Sequence, residues 1–584
     1  MLKRSSTEAE VVKALQDLAH EGFSNSSTLD IIAEDSVVPG FKPDFRLLSH
    51  QVVARYWMKH NETGFVKGGI LADDMGLGKT IQMLVRIVEG TPSKTHLQTS
   101  SGGGTLIICP VDLIPQWKAE ITKFAPTLKT VCHHGQSRTT DFEQLRKADV
   151  VITSFATTAS EYTNHVKRSR QTVQARKCKS AVFEVNWWRI VLDEAHNIKN
   201  HASKSADACC ALDASSRWCL MGTPVQNSLD DLYSLLKFLR KGPLNEWSTF
   251  QERVSRPAEA GDLDTAMKPL HAVLRTVMLR RRLDHRMNDQ PIVQLPDRRM
   301  QVVKCQFDAM EQKFYSALEL HVESEIDSIV QRAIVQKSFM SMLTFLLRLR
   351  QACDHPHLMF MGVDTSEGSS GESVDSLSDD GSIADPLHHM KSLDPTVHST
   401  PDMPVSSAKI REIVRILHDI KERSSGLDKT IIFCYFTGMM DLIEPVLRQQ
   451  HVKYMRYDGS MSTEERVKQL AKLNNDPSVV CALISIKAGG TGLNLTSCNN
   501  IILVDLWWNP SVEEQAFGRV HRIGQKKTVN IYKLTIPCTI EERILELQQT
   551  KQTLSKAALD KEQIAKMKLG LDDLMRLFRV RSRV

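Results

Sequence analysis

ILADDMGLGKTIQML, residues 70 to 84, passes from an apolar run through a glycine-containing turn into helical apolar spacing. A strand that turns sharply into a helix aims backbone N–H groups and a helix N-terminus at one point, an arrangement that binds phosphate. Gly76 and Gly78 let the backbone approach closely, Lys79 offers a cation to phosphate oxygens, and the Thr80 hydroxyl is a hard ligand suited to Mg²⁺. Asp73, Asp74, Met75 and Leu77 complete the loop. The strict pattern G-x-x-x-x-G-K-T wants glycine where Asp73 stands, so the segment alone also fits a glycine turn beside a surface lysine.

VLDEAH, residues 191 to 196, sets Asp193 and Glu194 at the end of an apolar run. Two adjacent acids there are costly unless used. Asp193 suits a Mg²⁺ site and Glu194 suits the base that activates an attacking water. Either acid singly also fits a solvated strand-to-helix turn.

Short β-branched runs of this kind recur in two sets. The first is 105–109, 150–154, 188–194 and 217–223, and the second is 430–436, 480–485, 501–506 and 529–534. Continuous rather than alternating apolar runs suit strands buried on both faces, and the helical spacing between them suits parallel crossovers. The expected fold is α/β, with two tandem parallel-sheet lobes. The expected division is an N-terminal extension (1–40), a first lobe (41–245), a helical linker with protrusions (246–361), an insertion (362–405), a second lobe (406–540) and C-terminal helices (541–584).

EEQAFGRVHRIGQ, residues 513 to 525, spaces Gln515, Arg519, Arg522 and Gln525 by four, three and three, the spacing of one helix face. Arginines on one face are usually solvated surface. Behind a second α/β lobe they also fit charge delivered across to a nucleotide held by the first.

At 584 residues the chain exceeds one core, and its 41% hydrophobic and 25% charged content is that of a globular protein. No uncharged apolar run approaches the roughly 18 residues of a membrane span, and the opening MLKRSSTEAE turns polar, so an intracellular protein without a membrane partner is expected. The twelve cysteines include no C-x-x-C, and Cys353, His355 and His357 crowd into five residues without a second cluster, so neither disulfides nor zinc is indicated. The Ser- and Asp-rich stretch 362–405 carries nine acids and one base and is expected to be disordered. Outside it stand 74 bases against 60 acids, +14, the sign expected of a polyanion binder. Six bases lie in KRSRQTVQARKCK, 167–179, readable as a nuclear-import signal, a DNA-facing loop or a solvated insertion.

Taken in order, LLSHQ (47–51), DDMGLGKT (73–80), CPVDLIPQW (109–117), DEAH (193–196), MGTPVQN (221–227), MLRRR (278–282), RLRQACDHPHL (348–358), TIIFCYFTGM (430–439), RYDGSMS (456–462), SIKAGGTGLNLT (485–496), DLWWNP (505–510) and the arginine motif resemble the Swi/Snf family of helicase-related ATPases, in helicase superfamily two. The resemblance implies RecA-like lobes, ATP and Mg²⁺ as cofactors, and double-stranded DNA with chromatin or other DNA-bound proteins as partners, in the nucleus. It implies that Gln51 reads the adenine, that Gly222-Thr223-Pro224 couples nucleotide state to DNA tracking, that Gly490 to Leu493 face nucleotide and backbone, and that an acid is tolerated at Asp73. The nearest likeness is to the repair-associated, RING-bearing branch. Without the Cys and His pairs of a RING, that branch's ubiquitin-ligase activity does not carry over. The expected function is a DNA-dependent ATPase that translocates on the duplex and remodels what is bound there. A strand-separating helicase and a non-catalytic DNA-binding scaffold remain the alternatives. Trp507 and Trp508 are expected to pack beneath the arginine motif rather than to stack on bases.

Overall fold

The computed structural model describes residues 33–136, 138–170, 180–222, 229–260, 262–287, 290–331, 338–359, 406–489, 493–558 and 577–578. The main division of the chain falls between Gln294 and Leu295.

The first unit is built on seven parallel strands: β1 (Gly68–Leu71), β2 (Gly102–Cys109), β3 (Thr130–Cys132), β4 (Val150–Ser154), β5 (Asn186–Asp193), β6 (Ala214–Leu220) and β7 (Met278–Leu279). Their order is β3-β4-β2-β5-β6-β1-β7. Alternate residues of each strand feed opposite faces. Leu106, Ile108 and Leu192 enter one core, whereas Ile107, Cys109 and Val191 enter the other. Both faces are therefore covered, which is why the runs read as continuously apolar. A short hairpin pairs β8 (Arg286–Met287) with β9 (Gln290–Pro291).

The second unit carries six parallel strands: β10 (Arg298–Lys304), β11 (Thr430–Cys434), β12 (Tyr454–Tyr457), β13 (Cys481–Ser485), β14 (Asn500–Leu503) and β15 (Val529–Thr535), in the order β10-β15-β14-β11-β13-β12. Two parallel sheets flanked by helices are the α/β architecture expected.

The helices of 246–361, expected as a helical linker with protrusions, contribute to the cores of both units. The helix Leu263–Val277 buries Leu270, Val273 and Val277 in the first core and leads into β7. The helices Ala309–Gln331 and Phe339–Asp354 bury Tyr315, Leu318, Phe345 and Leu349 in the second. No apolar run marks the intervening β10, because five of its first six residues are exposed, among them Arg298 and Arg299.

Each unit also encloses a buried ionic centre. In the first, Glu62 accepts from Arg189 Nη2 (2.8 Å) and Trp218 Nε1 (2.8 Å) and lies 3.0 Å from Arg86 Nε. In the second, Lys409 Nζ reaches Asp354 (2.7 Å), Glu541 (2.5 Å) and the Val504 carbonyl (2.7 Å). The acidic stretch 362–405, residues 1–32 of the extension, residues 171–179 of the basic run and the chain after Ala558, apart from 577–578, lie outside the described residues. Among the described residues no helix is long and apolar enough to cross a membrane.

Candidate nucleotide site

β1 ends at Leu71 and the helix Lys79–Glu89 begins after the loop 72–78. Gly76 (φ +92°) and Gly78 (φ +81°) hold left-handed conformations that favour glycine. A Cβ at Gly78 would also lie 2.6 Å from Gln51 Nε2, so that the amide would have to move aside. Gln51 and His50, at the start of the helix Ser49–Thr63, support the loop from outside. His50 Nε2 lies 2.9 Å from the Leu77 carbonyl, and Gln51 Nε2 donates to the same oxygen at 3.4 Å. Burial pushes the His50 pKa down, so the ring is neutral and Nε2–H is the donor. Lys79 Nζ donates to the backbone carbonyls of Asp73 (2.7 Å) and Asp74 (3.3 Å), which folds the ammonium over the loop. Thr80 is the second residue of the following helix. Met75 packs so close to Gly222 that a Cβ there would meet its side chain at 3.1 Å. Thr223 and Pro224 lie outside the described residues.

The Asp73 side chain faces the interior. Fully buried, its carboxylate accepts from the Arg281 backbone N (3.1 Å), from Arg281 Nε (3.0 Å), from Arg281 Nη2 and from Gln82 Nε2 (3.1 Å). Asp73 thus offers ligands its backbone and not its charge. Asp74 Oδ2 accepts from the Leu283 N–H (3.2 Å), and burial raises its pKa.

Asp193 closes β5 and Glu194 follows it in a left-handed conformation (φ 49°, ψ 53°), which costs a non-glycine residue about 1–2 kcal/mol. Asp193 Oδ2 accepts from Trp117 Nε1 (2.8 Å) and Oδ1 from the Glu194 N–H (2.9 Å). Burial and the neighbouring Glu194 charge push Asp193 up to about 7, against an opposing pull that includes Lys79. That pull places Lys79 within electrostatic reach of Asp193, although 114 positions separate them in sequence. A buried carboxylate with so high a pKa fits a hard dication, whose charge would restore the anion, and the Thr80 hydroxyl at the start of the helix after β1 is a second hard ligand on the same sheet. Glu194 Oε2 lies 3.4 Å from His196 Nδ1.

In the second unit the arginine motif departs from expectation. The helix Pro510–Phe517 stops before Arg519, so only Gln515 of the four lies on it. Gly518 caps the helix, and Arg519, Arg522 and Gln525 occupy the turns that follow. Spacings of four, three and three had suggested one helical face, but a glycine next to the last helical residue is a stop signal that outweighs them. Gln525 is the peg of these turns. Its amide donates to the Cys498 (2.8 Å), Thr496 (3.3 Å) and Val520 (3.3 Å) carbonyls, and its oxygen accepts from the N–H groups of Lys526 (2.9 Å) and Lys527 (3.0 Å).

Trp508 packs against the core of the second unit, and the Trp507 backbone N–H donates to Glu513 Oε1 (3.2 Å), at the start of the arginine motif segment. Trp507 stacks on Tyr435 with centroids 4.0 Å apart, and the Arg350 guanidinium sits 4.7 Å from the Trp507 ring and 5.5 Å from Trp508. Arg350, the second arginine of RLRQACDHPHL, is thus a ring partner of both. Within that segment Cys353 enters the core, and His355 Nδ1 accepts from the His357 N–H (3.0 Å). Leu493 is buried, whereas 490–492 lie outside the described residues.

Residues 50–358 match the family described as SNF2-related domain, and residues 408–524 match the helicase conserved C-terminal domain. The DNA repair protein RAD5B of Arabidopsis thaliana is 32% identical over 616 residues, covering 88% of this chain and 47% of that protein. Transcription termination factor 2 of Drosophila melanogaster is 31% identical over 681 residues, 97% of this chain and 61% of that protein. A solved Sulfolobus solfataricus SWI2/SNF2 ATPase core in complex with dsDNA shares 29% identity over 91% of this chain and 97% of its own, with a TM-score of 0.37. The chain spans about half to three fifths of the length of these two curated relatives. With the first match alone extending over more than half of its residues, the chain belongs to the SNF2-related family and carries that family's ATPase core.

Proposed function

We propose that the chain is a DNA-dependent ATPase that translocates on double-stranded DNA and remodels chromatin or other protein–DNA complexes, in the nucleus, in repair or transcription. The observation that carries this reading is that one sheet bears both the glycine loop after β1 and the Asp193–Glu194 pair after β5, with only β6 between the two strands. Family membership, the excess of bases outside 362–405, and relatives named for DNA repair and transcription termination support the rest.

On this reading the N–H groups of the loop from Met75 to Gly78 and the Lys79 ammonium bind the phosphates, and Gln51 reads the adenine. Thr80 and Asp193 would hold Mg²⁺, whose charge offsets that of the phosphates and of Asp193 itself. Glu194, steadied by His196, accepts the proton of the attacking water. Arg519 and Arg522 supply charge to the phosphoryl group in transfer, and Gln515 completes the nucleotide contacts.

The test is ATP hydrolysis measured in parallel with duplex DNA, single-stranded DNA, nucleosomes and no nucleic acid. Stimulation by duplex above single strand is expected, together with displacement of a protein roadblock without strand separation. Unwinding of a forked duplex would favour the helicase, and DNA binding without any hydrolysis the scaffold.

A further inference from the structure

MLRRR, residues 278 to 282, belongs to no chemical step described above, yet it forms a wall of the nucleotide loop. The ladder between β1 and β7 runs on past both strand ends. The Ala72 N–H donates to the Leu279 carbonyl (2.8 Å) and the Asp74 N–H to the Arg281 carbonyl (2.9 Å). From this wall the Arg281 side chain enters the interior, where only 8% of the residue stays exposed. Its guanidinium donates to the Asp73 carboxylate through Nε and Nη2, to Gln82 Oε1 (2.9 Å) through Nη2, and to the His50 carbonyl through Nη1. Three elements thereby meet on one rigid fork: the loop at Asp73, the helix after it at Gln82, and the end of the helix that bears Gln51. A lysine ammonium is a point charge on a flexible stem and cannot hold all three at once.

We propose that Arg281 is a positioning residue of the nucleotide site, fixing the geometry between the Gln51 helix end and the phosphate loop without touching the nucleotide. This rests on residues 72–80 being a nucleotide loop. Asp73 stands where the strict pattern has glycine, and a buried carboxylate there needs a partner. Arg281, 208 positions downstream, is that partner, and the pair sets the loop's shape before ligand arrives. Ligand binding and the placement of residues 278–283 are then coupled reciprocally.

The test compares Arg281→Lys and the double variant Asp73→Asn/Arg281→Gln with wild type. The double variant removes both charges together, so no unpaired ion is left buried, and Arg281→Lys keeps the charge should the double variant not fold. The readouts are affinity for a fluorescent ADP analogue with Mg²⁺, steady-state ATP hydrolysis with duplex DNA, and melting temperature. Outer-shell partners at metal sites are worth about 10- to 100-fold in affinity, and a loss of about tenfold in ADP affinity is expected in the folded double variant. KM for ATP should rise in proportion and kcat at saturation should change much less, with Arg281→Lys intermediate. Wild-type affinity and KM in a folded double variant, or in Arg281→Lys should the double variant not fold, would overturn the proposal. A fall confined to kcat would overturn it as well. A wild-type chain that binds the analogue but ignores duplex DNA refutes the DNA-dependent reading alone, since the binding comparison still decides the role of Arg281.

Discussion

Glu194 holds a backbone conformation that a non-glycine residue adopts only at a cost, directly after a carboxylate whose pKa burial raises to about 7. Strain and a displaced pKa at neighbouring residues mark a place kept for chemistry. Glu194→Gln is expected to abolish turnover and leave ATP binding near wild type, because the base is lost while Asp193 stays. Single-turnover hydrolysis beside equilibrium nucleotide binding checks this, and retained hydrolysis would assign the base elsewhere. Lys79→Ala should instead weaken binding itself, read in the same titration. These residues were legible in the sequence because glycines beside a lysine and paired acids after an apolar run are types whose cost in a fold demands a use. The inward commitment of Asp73 was not, since its partner Arg281 stands 208 positions away in a run that looks like surface charge.

Among the elements, the eight apolar runs became β2, β4, β5, β6, β11, β13, β14 and β15, whereas the short β3, β7 and β12 and the exposed β10 carry no such run. β7 has only two residues, and β10 is an exposed edge strand held by its ladder to β15. The arginine motif is the case where periodicity misled, because its side chains stand on turns pegged by Gln525. Arg519→Ala and Arg522→Ala should each lower kcat by about 10³, the scale of an arginine finger, with DNA affinity and its salt dependence unchanged. Gln525→Leu should lower kcat in the same direction though it bears no charge, because five hydrogen bonds that shape the turns would be lost. Wild-type kcat in that variant would show that the turns hold without their peg. The Lys409 centre sets a second expectation. Lys409→Met leaves Asp354 and Glu541 buried without their cation, and breaking such a pair costs about 3–5 kcal/mol. The denaturant midpoint of the second unit should fall accordingly, and an unmoved midpoint would mean that both carboxyls are neutral in the fold.

For the whole molecule, the two-sheet plan was legible and its division was not. Helical spacing through 246–361 looks alike throughout, but the division between the two cores depends on which residues meet in space. Deleting 364–402 is expected to leave melting and duplex-stimulated hydrolysis unchanged, since a composition so poor in apolar residues offers little area to bury. A lowered melting temperature would show that the segment packs. The wall that Leu279 and Arg281 build beside the phosphate loop also has a consequence for how the chain is made. A ribosome delivers Asp73 long before Arg281, and domains fold as units while synthesis proceeds. The loop therefore waits through 208 further residues for its partner, and a nascent chain halted at residue 245, with six strands of the first sheet already synthesised, still lacks a finished nucleotide site.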